Sequence, residues 1–597
     1  MRNVAKYLRN CGHDITMLVE RDAAAEFGEF PKIVVPHILS KSAIGFLFHM
    51  FVLPMIAKVS KYDIALILAG NRRFLAYGRL PDIGVVHDLS QYRVGEKYDF
   101  VRMFYLTKIQ PYLGRRLTKI VAISKSTKAD IEKYWKVKPD KVVLNYNGMN
   151  RLTEPDNSVL EKFGLRKYVL YVARLEHPGK NHVRLIEAYE KLPEAIRRDC
   201  KLVLTGPDWS GSDVIKARAK ESPCRNDIVF TGFTTFGEMS ALYRYAAMFV
   251  MPSLSEGFGL PILEAMSVGT PCVCSNTSAL AEIAADAALT CNPESAGEIS
   301  AAMEKIFDDD QLRCSLIEKG YRRCSEFDWE KHTKKLVEIC RSVYEDYARL
   351  EIFSVPFQNR RIGEVVDMLD ADIDAGRRKK IAFLNTHYLN TAYKDKTQVE
   401  RLKKFDYVFP DGSGVSLACK ILGYPYRDNL NGTDMLLHLC VLSEKKGRKM
   451  YFFGGKDGVA DKAVFNLKKR FPYVKIAGAR SGFFTKEQEP EIIAHINALK
   501  PDMLFVGFGA PLQEKWVLEN FDKLNCPLVF AIGGVVDVYS GNLSRNPVLR
   551  NLGLEWLGRL MQEPVRLFGR YVIGNPLFVL RVIKQRLTRS RKGRVAS

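Results

Sequence analysis

The stretch Met248-Phe-Val-Met-Pro252-Ser-Leu-Ser-Glu256-Gly257-Phe258-Gly259-Leu260-Pro261-Ile-Leu-Glu264-Ala-Met266 decides the reading of this 597-residue chain. Its first four residues are continuously apolar, as a strand buried on both faces must be. Two glycines then turn the chain, and Pro261 suits the first position of a helix, where a missing N–H costs nothing. A strand, a glycine turn and a helix N-terminus in that order leave free backbone amides where a diphosphate can be held. Glu256 precedes the helix and Glu264 lies within it, so the two carboxylates reach different parts of one ligand. That arrangement suits a sugar nucleotide.

Upstream, Val172-Ala-Arg174-Leu-Glu-His-Pro-Gly-Lys180-Asn repeats the pattern of a strand end followed by a glycine loop, now with two cations. A departing nucleoside diphosphate gains charge in the transition state, and Arg174 and Lys180 form the clamp that would meet it. Further out, short β-rich runs alternate with amphipathic stretches. The runs are Ile64–Ala69, Ile83–His87, Lys119–Ile123, Tyr168–Ala173, Lys201–Thr205, Met248–Met251, Met450–Phe453, Met503–Val506 and Leu528–Ile532. Such alternation means an α/β chain with doubly wound parallel sheets, whose ligands sit at the carboxyl ends of the strands. Polar, Pro-containing segments near Asn150–Asn157 and Glu351–Arg361 divide it into residues 1–150, 151–350 and 351–545, with a helical tail over 546–597.

Hydrophobic residues make up 47% and charged residues 26%, the balance of a chain with real cores and little disorder. The formal net charge of +22 implies an anionic partner. From Gly541 to the end, twelve Lys/Arg face only Glu555 and Glu563, so much of the excess is a tail property. There the basic residues interleave with Trp556, Leu557, Leu560, Leu567, Phe568 and Val572, which points to an acidic lipid surface rather than nucleic acid. The twelve cysteines are scattered without zinc-ligand spacing, as in a reducing compartment, and the Cys272/Cys274 pair reads as buried packing. The run Ile44–Val59 falls short of the ~20 residues that span a bilayer and reads as a core or interfacial helix. Met1–Asn10 has no signal-peptide pattern.

Together the Glu256…Glu264 carboxylates around Gly-Phe-Gly-Leu-Pro, the Arg174…Lys180 pair and Asn147-Gly148 resemble glycosyltransferase family 4, over roughly residues 1–345. The resemblance implies the GT-B architecture of two Rossmann-like domains, retention of anomeric configuration and no metal. It also implies that Glu256 contacts the donor sugar, Glu264 the ribose, and Arg174 and Lys180 the diphosphate of a GDP- or UDP-sugar. His87, at the end of the run from Ile83, matches the family's N-domain histidine near the donor sugar. The helix at Asn3–Cys11 corresponds to one that the family precedes with a strand, so the N-domain is expected to lack its first strand.

The region from Ile352 carries a second set: Leu384-Asn385-Thr386, Phe409-Pro-Asp411-Gly412, Asn431-Gly-Thr433-Asp434, Phe453-Gly454-Gly455, Val506-Gly507-Phe-Gly509-Ala-Pro-Leu-Gln513 and Ile532-Gly533-Gly534. Most read as strand ends with glycine turns, which should line one sheet edge where a nucleotide lies against backbone amides. With Gly541-Asn-Leu-Ser-Arg545 and Glu555-Trp-Leu…Gln-Glu-Pro564, they resemble the WecG/TagA/CpsF family, glycosyltransferase family 26. That resemblance implies inverting transfer from a UDP-sugar to a lipid-diphosphate-linked acceptor, with Asp411 as base. It also implies a membrane-binding C-terminal appendage whose arginines, here Arg559, Arg566 and Arg570, help complete the site; solvated helix arginines are an equal reading. Asn385, Thr386 and Gln513 are placed to bond sugar hydroxyls, and Gln513 equally to cap the helix it opens. Asp370-Ala-Asp372 sits in a charged helical stretch, and no metal is expected there.

The combined expectation is a bifunctional glycosyltransferase that extends a polyprenyl-diphosphate-linked saccharide in exopolysaccharide or capsule assembly. It would be attached peripherally to the cytoplasmic face of the plasma membrane, alongside other glycan-assembly enzymes. The alternative is that only the C-terminal half is catalytic and the N-terminal half is a docking module.

Overall fold

A computed structural model of the chain describes residues 2–35, 62–70, 80–94, 100–424, 426–543, 549 and 554–595. The run Ile44–Val59 and Arg545 lie outside the described residues. The chain forms two compact units, Met1–Tyr344 and Glu345–Ser597. Each of the nine runs read as strands overlaps one, to within a residue or two at its ends.

In the first unit, β1 (Met17–Glu20) and β2 (Lys32–Val35) form a small parallel pair, following the helix Arg2–Asn10. Strands β3 (Ala65–Ile67), β4 (Asp82–Val86), β5 (Lys119–Ala122) and β6 (Val142–Leu144) pair in sequence order, all parallel. The third sheet contains β7 (Tyr168–Val172), β8 (Lys201–Thr205), β9 (Ile228–Gly232), β10 (Met248–Met251), β11 (Cys272–Ser275) and β12 (Ala288–Cys291). Its order is β12-β11-β10-β7-β8-β9, again parallel. Winding therefore runs outward from β7 through β8 and β9, then restarts on its other side at β10. The reversal opens a crevice between the β7 and β10 loops, the place such sheets offer a ligand. Residues 168–171 and 248–250 are fully buried, which is why these strands read as unbroken apolar runs.

Within this unit the helix Trp329–Ala348 returns to the sheet of β3–β6. The His332 carbonyl accepts from Asn145 Nδ2 at 3.0 Å, Phe327 O accepts from Met149 N at 3.0 Å, and Trp329 Nε1 donates to Asn150 Oδ1 at 2.8 Å. Glu282 of the helix Ser278–Ala284 also caps the helix Lys125–Trp135. Its carboxylate accepts from Lys125 N (2.8 Å), Ser126 N (3.1 Å) and the Tyr146 hydroxyl (2.7 Å). A carboxylate on two amides of a helix N-terminus is well placed against the helix dipole.

The second unit opens with a hairpin of β13 (Arg349–Ile352) and β14 (Val355–Gln358). Its main sheet contains β15 (Lys379–Leu384), β16 (Tyr407–Pro410), β17 (Met450–Gly454), β18 (Ile476–Arg480), β19 (Met503–Gly507) and β20 (Leu528–Ala531). The order is β16-β15-β20-β19-β17-β18, all parallel. Register stacks three rings on one face: Phe452–Phe505 at 5.1 Å and Phe505–Phe530 at 4.8 Å between centroids. The tail helix Gly574–Val595 is anchored by Phe578 and Val582, both buried with Leu350, Ile352 and Val355.

Phe505 is the middle ring of that ladder and is 1% exposed. Phe505→Ala should destabilise the second unit by ~3–5 kcal/mol, read as a lower midpoint in denaturant unfolding of the full chain. A loss similar to that of an exposed aromatic such as Tyr473 would contradict the packing described.

Candidate functional site

The crevice of the first unit is built by two braced loops. Leu254 N donates to Gly179 O at 3.0 Å, and buried Asn181 donates from Nδ2 to the carbonyls of Pro252 (2.9 Å) and Pro293 (2.7 Å). The Tyr171 hydroxyl donates to Lys180 O at 2.7 Å and lies 2.9 Å from Ser253 Oγ. These contacts fix Lys180 opposite Glu256, and the two side chains pair at 2.6 Å. The Glu256 amide is itself held by Ser278 Oγ at 3.0 Å. Behind them His182 is fully buried against Tyr171, and burial together with Lys180 and His177 holds its imidazole down at about 3, so it adds no charge.

Arg174 lies on the same loop but turns elsewhere: its guanidinium pairs with Glu176 at 2.6 Å and lies over the Trp209 ring at 5.0 Å. Sequence reasoning offered Arg174 and Lys180 as one clamp; in the structure they hold different carboxylates. Glu264 accepts from the Tyr243 hydroxyl at 2.9 Å, and burial raises its pKa while that hydrogen bond opposes the shift.

Gly257 brings the sheet of β3–β6 to this loop. A Cβ there would fall inside the van der Waals envelope of the His87 carbonyl oxygen and 2.9 Å from Asp88 Cβ, so only glycine allows the approach. Thr127 Oγ1 closes the contact, donating to Gly257 O at 3.2 Å. His87 therefore stands at the crevice, exposed, with Nε2 2.7 Å from Leu68 O. That partner makes Nε2 the protonated nitrogen and leaves Nδ1 as an acceptor. Phe258 is buried, and Gly259 with φ +104° starts the helix Leu260–Ser267. The signals missed were Ser278, Tyr243, Glu282 and Trp209, which lie far from the motifs in sequence and carry no local pattern.

In the second unit, the residues after five adjacent strands line one edge: Asp411 after β16, Asn385 after β15, Gly533 after β20, Gly507 at the end of β19 and Gly454 at the end of β17. A Cβ on Gly454 would sit 2.5 Å from Gly507 O, and one on Gly507 would sit 2.8 Å from Gly533 O. Three strand ends thus crowd backbone against backbone. Asp411 is half-buried, its amide donates to Leu384 O at 2.9 Å, and the next amide, Gly412 N, donates to Asn429 Oδ1 at 2.8 Å.

Several predicted contacts are committed inside the protein. Asn385 caps the helix Thr386–Lys394, accepting from Tyr388 N at 3.0 Å, and Thr386 packs against Gly414. Asn431 follows no strand; it caps the helix Gly432–Lys446, accepting from Asp434 N at 2.8 Å and donating to Asp434 Oδ2 at 2.7 Å. Thr433 is buried, and its carbonyl accepts from Tyr539. Gln513, offered to sugar hydroxyls or to a helix cap, is 4% exposed and accepts from Gly509 N (3.1 Å) and Gly533 N (2.9 Å). Asp370 pairs with Arg448 and Lys446, and Asp372 with Arg377. Among the described residues no group of His, Cys, Asp or Glu is arranged to hold a metal ion.

The tail reaches this edge. Arg566 pairs with Glu563 and acts electrostatically on Asp537, whose carboxyl is raised by burial against the pull of Arg566 and Lys456. Arg570 adds to burial in lowering His387, while Arg559 pairs with Glu555 at 3.7 Å. Asp537, in the short helix Val535–Tyr539 behind Gly533-Gly534, was missed; only its place just past a glycine turn could have marked it.

Two parallel sheets, each gathering carboxylates, cations and glycine turns at its strand ends, belong to a chain whose family matches are those of a glycosyltransferase. Residues 1–151 match the model of Glycosyltransferase Family 4, residues 154–323 that of Glycosyl transferases group 1, and residues 350–592 that of the Glycosyl transferase WecG/TagA/CpsF family. The chain is similar to the O-antigen chain mannosyltransferase B of Escherichia coli, 31% identical over 42% of this chain and 68% of that protein. It is also similar to the N-acetylglucosaminyldiphosphoundecaprenol N-acetyl-beta-D-mannosaminyltransferases of Bacillus subtilis and Bacillus spizizenii. The first is 29% identical over 39% of this chain and 91% of that protein, the second 32% identical over 31% and 70%. The chain belongs to the family 4/group 1 and WecG/TagA/CpsF glycosyltransferase families, joined in one polypeptide.

Burial of an ionised Glu264 works against the free protein at neutral pH, because its folded pKa lies above the unfolded one and the penalty lifts only as pH falls. Glu264→Gln should therefore raise the apparent Tm at neutral pH by ~1–3 °C, with the gain shrinking toward acid pH. A lower Tm at neutral pH, measured by calorimetry, would show instead that the charge is well compensated.

Proposed function

We propose that the chain carries out two successive sugar transfers onto a polyprenyl-diphosphate-linked saccharide during assembly of a cell-surface glycan. The relatives' names support the acceptor, since the Bacillus enzymes act on N-acetylglucosaminyldiphosphoundecaprenol and the Escherichia coli relative extends O-antigen chains. The observation that carries the reading is that each unit builds its own glycine-turned crevice with its own carboxylates.

In the first unit the donor is a GDP- or UDP-sugar. Its diphosphate lies on the amides of the Gly257–Leu260 turn, and its charge draws Lys180 and Arg174 from the carboxylates they hold in the free protein. Glu264 binds the ribose, Glu256 the sugar, and His87 offers its accepting nitrogen to a sugar hydroxyl. The acceptor oxygen attacks on the side the diphosphate leaves, passing its proton to the departing phosphate oxygen, so configuration is retained. In the second unit Asp411 takes the proton of the acceptor hydroxyl as that oxygen attacks the anomeric carbon opposite UDP. The C–O bond to UDP breaks and configuration inverts. Neither transfer calls for a metal.

Reversible attachment to an anionic membrane keeps the enzyme near its lipid-linked substrate. The tail exposes Met561, Val565, Phe568, Ile573, Leu580 and Leu587 among its arginines, the face an interfacial helix needs. Basic residues contribute ~1 kcal/mol each near such a surface. No described helix is long and apolar enough to cross a membrane.

The test is transfer to lipid-linked acceptor in membranes with UDP- and GDP-sugars supplied separately. Asp411→Asn should remove one product, with a loss of about 10³-fold or more, and Lys180→Ala should reduce a different product by about 10²-fold. A single product abolished by Asp411→Asn and indifferent to Lys180→Ala would leave the first unit as a docking module.

A further inference from the structure

The Gln513 side chain joins the loops after β19 and β20. Its carbonyl oxygen accepts from Gly509 N at 3.1 Å and from Gly533 N at 2.9 Å, and its Nε2 donates to Glu514 Oε1 at 3.0 Å. Two amide donors demand the oxygen on one side and a carboxylate demands the NH₂ on the other, so the amide has one orientation. Gln513 is 4% and Glu514 1% exposed, which removes both from direct contact with a ligand in the crevice. The glycines they act on are not remote: Gly533 begins the turn that carries Asp537, and its carbonyl backs Gly507.

We propose that Gln513 is a positioning residue of the second-unit site, pinning the glycine turns of β19 and β20 in register while Glu514 fixes the direction of its amide. This rests on the reading of that edge as a glycosyl-transfer site. Without the pin, both amides would turn to water or to each other's loop, and the floor under the donor would lose its shape before any ligand contact changed. Glu514 is suited to the task because it is buried with its Oε1 turned to the Gln513 NH₂, and its Oε2 has no hydrogen-bond partner among the described residues. The charged and titratable groups that face it are Arg401 of the helix Lys396–Lys403 and Tyr388 of the helix Thr386–Lys394.

The geometry gives Gln513→Glu an unusual signature. A glutamate there still accepts from both glycine amides, but it faces Glu514 where the NH₂ stood. The two carboxyls must share a proton, with Glu514 donating it, and the pin survives only while that proton is held. The full chain, Gln513→Glu and Gln513→Leu are compared across pH by two measurements. The first is amide exchange of peptides covering Phe505–Gln513 and Phe530–Val536. The second is the part of UDP-N-acetylmannosamine transfer to a lipid-diphosphate-linked acceptor that Asp411→Asn abolishes.

Gln513→Glu should match the parent near pH ~6 and then lose transfer about ten-fold for each pH unit above the pair's pKa, with exchange accelerating in step. Gln513→Leu should lose ~100-fold in kcat at every pH, a decade for each amide released, with faster exchange in both peptides. Two outcomes overturn the proposal: Gln513→Glu following the parent's pH profile, or Gln513→Leu raising KM for the donor with exchange unchanged, as a direct ligand contact would. If the parent shows no Asp411-dependent transfer, the functional reading fails by itself, and the exchange profiles alone decide whether Gln513 is the pin.

Discussion

Backbone crowding at the carboxyl ends of parallel strands is the constraint on which both units depend. Parallel strands end together, so the turns that follow compete for the same space, and any side chain there forces neighbouring strands apart. In the second unit Gly454 and Gly507 resolve that competition by having no Cβ: one on Gly454 would meet the Gly507 backbone, and one on Gly507 the Gly533 carbonyl. In the first unit Gly257 does the same between sheets, allowing the loop after β10 to touch the His87 carbonyl. The absence of side chains shapes a floor of backbone dipoles, and the reactive side chains stand around its rim.

A floor without side chains has little packing of its own, so its loops are braced by buried polar groups. Asn181, Tyr171 and Ser278 tie the crevice loops of the first unit to each other, and Glu282 ties its two large sheets together through the N-terminus of the helix Lys125–Trp135. Gln513 and Asn429 perform that service in the second unit. Each such group is a hydrogen-bond partner for backbone that would otherwise be buried unsatisfied, at a cost of about 1–3 kcal/mol apiece.

This division explains what could be read from the chain. Strands buried on both faces announce themselves as apolar runs, so β7, β10, β17, β19 and β20 were legible, as were the glycine turns that end them. Edge and short strands such as β9, β12 and β18 mix polar and apolar residues because one face is half-covered, and no run marks them. Among candidate side chains, Lys180 and Glu256 were legible because each lies within a loop whose shape the glycines dictate. Gln513 and Asp434 make internal hydrogen bonds that the sequence did not show, for a common reason: a polar residue beside a glycine turn has the same local pattern whether it faces a ligand or the turn. The braces themselves, Ser278 or Glu282 for instance, act over long sequence separations, and nothing local distinguishes them from other serines and glutamates.

The two crevices differ in how they can meet the charge of a departing diphosphate. In the first, Lys180 sits on the loop itself, so compensation is local. In the second, four glycine amides at the strand ends are already spent: Gly509 and Gly533 on Gln513, Gly412 on Asn429, and Gly455 on the Gly507 carbonyl. Positive charge must then come from side chains. The described cations acting near this edge include Lys456, on the loop after β17, and Arg566 and Arg570 of the tail, which reach Asp537 and His387 electrostatically. On the proposed function, the segment that meets the membrane also supplies the charge the leaving group requires. Transfer in the second unit would then be strongest when the tail is seated on the surface that holds the acceptor, so attachment and catalysis would share one set of arginines.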